Sequence, residues 1–161
     1  MDLETFNALT SHSAVAELAS CCSSPSWAQR LASNRPFATV DELIRCADHV
    51  LAELGEDELD AALAGHPRIG ERPGQASSRR EQAGVAAADA EVRTALVRAN
   101  RDYEARFGHV YLVCADGRSG QELLNVLHER LGSNNAATER AVLCDELSKI
   151  NRIRLARLVG A

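Results

Sequence analysis

DAEVRTALVRANRDYEARFGHVYLVCA, residues 89–115, holds the two patterns that decide the fold. In its first part Val92, Leu96, Ala99, Tyr103 and Phe107 recur on one helical face, and Gly108 follows as a stop signal. In its second part residues 109–115, His-Val-Tyr-Leu-Val-Cys-Ala, form the one convincing extended run of the chain. A single strand cannot make a sheet, so this run is expected to lie against helices or to pair with another chain. The reading is all-α.

Upstream, residues 3–9 and 13–20 read as short helices. Ser24-Pro25 supplies a cap and a first-turn proline for a third, with Trp27 as an apolar anchor and Pro36 as its close. Thr39-Val40-Asp41-Glu42 is a capping box that opens a helix ending near Gly55, and a shorter helix spans about 57–64 with Gly65 just past its end. Ser78-Arg79-Arg80-Glu81 is expected to start another, running to about residue 87. Downstream, Ser119-Gly120-Gln121-Glu122 opens a helix to Leu131 with Gly132 as its stop, and the last runs over 136–158. The expected architecture is one compact domain over 1–161, of about eight to nine helices with a short extended segment near 109–115.

Composition agrees. The 161 residues suit one domain, and 45% apolar residues with only 4% aromatics favour helices over a β-sandwich. A net charge of −5 leaves no basic footprint for nucleic acid, so an anionic substrate would need a local positive site. No apolar run approaches the ~18 residues that span a membrane. Five Cys at positions 21, 22, 46, 114 and 144 show no C-x-x-C spacing and cannot all pair. With no signal-peptide pattern and no peroxisomal tripeptide, they are expected to be reduced thiols of a cytoplasmic protein.

The chemistry centres on residues 65–82, GHPRIGERPGQASSRREQ, which pack three Gly, two Pro and four Arg around one His. An irregular connection of about a dozen residues between helices is more often functional than idle. His66 precedes a proline that fixes its backbone, and an imidazole titrates near neutrality, as a proton shuttle requires. Glu81 either caps the helix begun by Ser78 or turns toward His66 and orients it. Arg154 lies inside the stripe Leu143, Leu147, Ile150, Leu158 of the last helix, so either a carboxylate or an anionic ligand should meet it. Gly117-Arg118-Ser119-Gly120 lacks the glycine pattern of a phosphate loop and reads as a helix cap. The five His have no ligand spacing, so no metal is expected. Cys114, in an apolar run, reads as packing.

At these residues the sequence resembles the 2-oxo-4-hydroxy-4-carboxy-5-ureidoimidazoline (OHCU) decarboxylase family. The blocks are His66-Pro67-Arg68-Ile69-Gly70, Ser78 to Gln82 with Gly84, Ala99-Asn100 with Tyr103, Arg106-Phe107-Gly108, and Glu146 to Leu155 with Arg154. Arg68-Ile69-Gly70 has the bacterial form of its block. The resemblance implies cofactor-free decarboxylation of OHCU to (S)-allantoin in urate degradation, by a helical and commonly dimeric enzyme. It implies His66 and Glu81 as the acid/base pair. Pro67, Ser78, Gln82, Leu112, Val113, Cys114, Ala115 and Arg154 then become substrate contacts. Two readings compete with it: a helical ligand-binding or interaction domain without catalysis, and a lyase for a related ureido acid.

Overall fold

The computed structural model describes residues 1–70 and 76–160. Glu71, Arg72, Pro73, Gly74 and Gln75 of the Gly/Pro/Arg stretch, and Ala161, lie outside the described residues. Among the described residues there are ten helices. They are α1 (Leu3–Ala8), α2 (Ser11–Ala19), α3 (Pro25–Ser33), α4 (Val40–Ala52), α5 (Glu56–Ala64), α6 (Ala76–Glu81), α7 (Ala83–Ala86), α8 (Ala90–Phe107), α9 (Gly120–Ser133) and α10 (Ala136–Leu158). The all-α expectation holds, with one or two helices more than the sequence suggested. The contacts divide into two compact units, Met1–Gly65 with Ser148–Ala161, and His66–Leu147, the division falling within α10.

In the first unit α3 packs on both α2 and α4. Its N-terminus is built as the sequence dictates: the Ser24 hydroxyl accepts from the Trp27 N–H, and Pro25 occupies a position whose N–H would have had no partner. Trp27 is fully buried, and its indole N–H donates to Ala47 O at 3.0 Å, so the ring buries its area without stranding its donor. Arg35 has no sequence signature, yet it ties two helix ends together. It donates to Phe6 O (2.8 Å) in α1, to Leu9 O (2.9 Å) at its C-cap and to Ala32 O (3.1 Å) in α3.

In the second unit α8 packs on α9, and α9 on α7. Leu96, Ala99 and Tyr103 of α8 join Leu123, Leu124 and Leu127 of α9 in one buried cluster. At about 1.5–3 kcal/mol for each large side chain taken from water, this cluster is the unit's main source of stability. Residues 110–115 carry neither helix nor strand ladder among the described residues, and Tyr111, Val113 and Ala115 alternate into the same cluster. The extended run therefore lies against helices, one of the two options the sequence left open.

Three local expectations are corrected. Ser78 is not a cap: α6 already includes it, its C=O accepts from Gln82 N–H at 3.0 Å, and the chain bends at Gln82 before α7 instead of continuing to residue 87. Gly55 caps the start of α5, α4 having ended at Ala52, and Gly132 lies inside α9. Gly65 does follow α5, but with φ −76° and not in the left-handed region. What excludes a side chain there is proximity, because a Cβ would fall 1.9 Å from the Ser23 hydroxyl oxygen and 2.3 Å from its Cβ.

Gly84 is the sharper case of close approach. A Cβ on it would stand 2.0 Å from the Arg118 carbonyl oxygen and 2.9 Å from the carbonyl carbon. That backbone precedes the Ser119–Glu122 capping box, where hydroxyl and carboxylate each hold an N–H of the other, so it cannot move aside alone. Gly84→Ala is expected to destabilise by about 1–3 kcal/mol or more, an overpacking cost. A thermal melt should show a drop of several degrees; an unchanged melting temperature would mean that the α7–α9 approach yields freely.

Candidate active site

His66, Pro67, Ser78, Glu81, Gln82 and Leu112 to Ala115 belong to the second unit, Arg154 to the first. The imidazole of His66, just past α5, is 7% exposed, although it stands in an irregular connection. The backbone after it is held from three directions. Arg68 makes a two-pronged ion pair with Glu104 of α8 (2.5 and 2.9 Å), Asn100 donates to Ile69 O (2.8 Å), and Gly70 N–H donates to the Gln82 carboxamide (3.1 Å). The Arg68 guanidinium keeps the Glu104 carboxyl below its ordinary range. Arg68, Gln82 and Asn100 all fall in the quoted family blocks, but Glu104 does not, and its pairing with Arg68 had no signal in the sequence.

α6 sorts its side chains by helical geometry. Ser78 and Glu81, three residues apart, face inward and are buried with Gln82, while Arg79 and Arg80 face solvent. With Ser78 mid-helix, the capping role that competed for the Glu81 carboxylate has no basis. Among the described residues of the expected guanidinium cluster, Arg68 is committed to Glu104, and Arg79 and Arg80 are exposed; Arg72 lies outside the described residues. Gln82, which the resemblance made a substrate contact, uses its amide on the loop backbone. Its oxygen accepts from Gly70 N–H, and its nitrogen lies 3.4 Å from Arg68 O. A cleft of about 670 Å³ opens beside Glu81 and Arg80 and is walled opposite by Arg118 and Gln121 at the start of α9.

The extended segment is gripped by two buried ions. Arg130 Nη1 donates to Leu112 O at 2.7 Å, and Cys114 N–H donates to the Glu146 carboxylate at 2.7 Å. Burial pushes the Cys114 thiol up against a backbone hydrogen bond at Asp116 that acts the other way, which disfavours the thiolate a nucleophile needs.

In the first unit Arg154 is 8% exposed, and its Nη1 donates to Cys21 O at 3.0 Å. The stripe around it drifts from the expected register: Leu143, Leu147 and Ile150 are buried, but beyond Arg154 the buried positions are Leu155 and Val159, with Leu158 only partly covered. The Cys21 thiol beneath it is pushed up to about 11 by burial. All five Cys are free. Among the described residues no cluster of three or more His, Cys, Asp or Glu could hold a metal, and no helix is long and apolar enough to cross a membrane.

In the second unit a buried histidine, a buried carboxylate and carboxamides that brace the loop between them are the kinds of group that acid/base enzymes use. Residues 7–156 match the family model described as OHCU decarboxylase, and the chain belongs to that family. It is 32% identical over 134 residues to the 2-oxo-4-hydroxy-4-carboxy-5-ureidoimidazoline decarboxylase of Amia calva, covering 79% of this chain and 76% of that one. It is 25% identical over 146 residues to the uric acid degradation bifunctional protein TTL of Arabidopsis thaliana, where the match covers 86% of this chain but 45% of that protein. The chain thus spans less than half of that bifunctional relative. An OHCU decarboxylase crystallised in the presence of (S)-allantoin superposes with a TM-score of 0.81 at 27% identity, covering 90% of this chain and 98% of that one.

Proposed function

We propose that the chain decarboxylates OHCU to (S)-allantoin without a cofactor, residues 1–161 acting as one catalytic domain. The observation that carries this is the near-complete fold match to an OHCU decarboxylase crystallised with that product. The family membership over residues 7–156 supports it.

The substrate carries its carboxylate on a carbon bearing a hydroxyl, beside a ring imine. When the carbon–carboxylate bond breaks, CO2 leaves and the electron pair moves toward the imine, so the ring itself is the electron sink. The hydroxyl carbon becomes a carbonyl as a proton is delivered to the neighbouring ring carbon. His66, partnered by Glu81, handles that proton traffic, and delivery from one face sets the S configuration. Arg154 takes the anionic oxygens, while Ser78 and the backbone of 112–115 take the ureido and ring groups. Gln82 acts mainly by holding the loop that carries His66 and Pro67, given the bonds it makes to Gly70 and Arg68. We further propose a cytoplasmic homodimer.

The test is to generate OHCU freshly and follow circular dichroism with and without enzyme. Rapid growth of the (S)-allantoin signal beyond the buffer rate is the expected result. A trace indistinguishable from buffer would overturn the assignment and favour a binding domain.

A further inference from the structure

An extended segment has two hydrogen-bonding edges, and residues two apart present their N–H and C=O on the same one. In 111–115 the alternation is fixed by packing, since Tyr111, Val113 and Ala115 enter the core cluster. Leu112 C=O and Cys114 N–H therefore lie on one edge, and these are the two groups that Arg130 and Glu146 hold. The opposite edge presents Val113. Its side chain is 2% exposed, yet among the described residues nothing bonds its N–H or its C=O. A buried backbone donor and acceptor side by side without a protein partner are normally completed by water or a ligand.

The grip is itself built to be rigid. Arg130 is 6% exposed and does not stand on a surface where it could swing. Its Nε donates to Glu139 at 2.9 Å, Nη2 donates to the same carboxylate, and its guanidinium lies 4.7 Å above the Tyr111 ring centroid. It thus touches two successive residues of the segment, one through the backbone and one through the ring. Glu146 is 7% exposed and meets the segment two residues further on.

We propose that Arg130 and Glu146 are positioning residues that hold one edge of 111–115 so that the Val113 N–H and C=O face a planar group offering one acceptor and one donor, such as a ureide or ring amide. This rests on the reading of the chain as an OHCU decarboxylase for its substrate, but the grip itself does not. Neither ion touches substrate; both act through the backbone they fix. The bond from Cys114 needs only an acceptor at position 146, so a carboxamide can replace the carboxylate.

The experiment compares Glu146→Ala and Glu146→Gln with wild type, by steady-state kinetics on OHCU and by amide hydrogen exchange over 110–116. The Ala variant is expected to raise KM roughly ten- to hundredfold, the scale of a small misplacement, with a lesser change in kcat. Its Cys114 amide should exchange faster. Gln should restore both to within about threefold of wild type, a rescue that depends on the acceptor and not on charge. A wild-type KM in the Ala variant, or a Gln variant as impaired as Ala, would overturn the proposal. Should wild type itself show no turnover, the functional reading fails, while unchanged exchange in the Ala variant would separately sink the grip.

Discussion

Glu139→Ala should cost about 3–5 kcal/mol of stability, the scale for removing one partner of a buried ion pair. Glu139 is fully buried at the start of α10. One of its oxygens accepts from Arg130 and from the Tyr103 hydroxyl, the other from Asn134 at 2.7 Å. Its removal leaves a guanidinium in the interior with neutral acceptors alone, Leu112 O and the Tyr103 hydroxyl, around its charge. Chemical denaturation of the single variant measures the loss. The double replacement of Arg130 and Glu139 by Met should be milder than Glu139→Ala, because no ion is then stranded. A single variant within 1 kcal/mol of wild type, about the worth of an exposed pair, would show that the cluster is solvated in solution.

The same carboxylate gives a pH signature. Burial alone would raise its pKa, but the hydrogen bonds from Arg130, Asn134 and Tyr103 and the Arg130 charge outweigh burial, and the net shift is downward from 4.5. A depressed carboxylate contributes stability that is fully present above its unfolded value and disappears as pH falls through the folded one. Wild type should therefore lose stability steadily below about pH 4.5, and Glu139→Gln should start lower but decline less steeply. Parallel acid limbs would show that other carboxylates govern the acid transition.

Much of this was legible in the sequence, for a physical reason: helices begin and end through local bonds. Ser24-Pro25 and Ser119-Glu122 cap as written, and α10 spans 136–158 as its pattern implies. At Thr39 the hydroxyl accepts from Glu42 N–H as expected, although the Glu42 carboxylate reaches Ala38 N–H, one residue beyond the box. Ser78 misled because a serine three residues before a glutamate is also what a buried helix face looks like. Arg130 was missed although its signal was present. It follows Leu123 and Leu127 at positions four and seven of one face, the same placement of a charge within an apolar stripe that singled out Arg154. The bidentate Arg68–Glu104 pair and the Arg35 clamp join residues far apart in the chain, and no local pattern encodes such a meeting.

His66→Ala should reduce kcat by about 10²–10⁴, the usual worth of a positioned acid/base group, with KM changed far less. The structure says why this should be a kinetic loss and not a folding loss. The loop is held by bonds that do not depend on the imidazole. Arg68 is fixed by Glu104, Ile69 O by Asn100, and Gly70 N–H by Gln82, all within four residues of position 66. Pro67 restricts the backbone of residue 66 whatever its side chain. Removing the ring leaves that scaffold and takes away the proposed proton carrier, so the melting temperature should move by only a few degrees. The converse variant, Gln82→Ala, removes a brace and keeps the imidazole: it should raise KM and lower kcat together while the fold survives. Following (S)-allantoin formation by circular dichroism beside thermal melts of both variants separates these roles. If His66→Ala retained turnover within tenfold of wild type, the proton would have to come from Glu81 or solvent, and the histidine would be reduced to a packing residue.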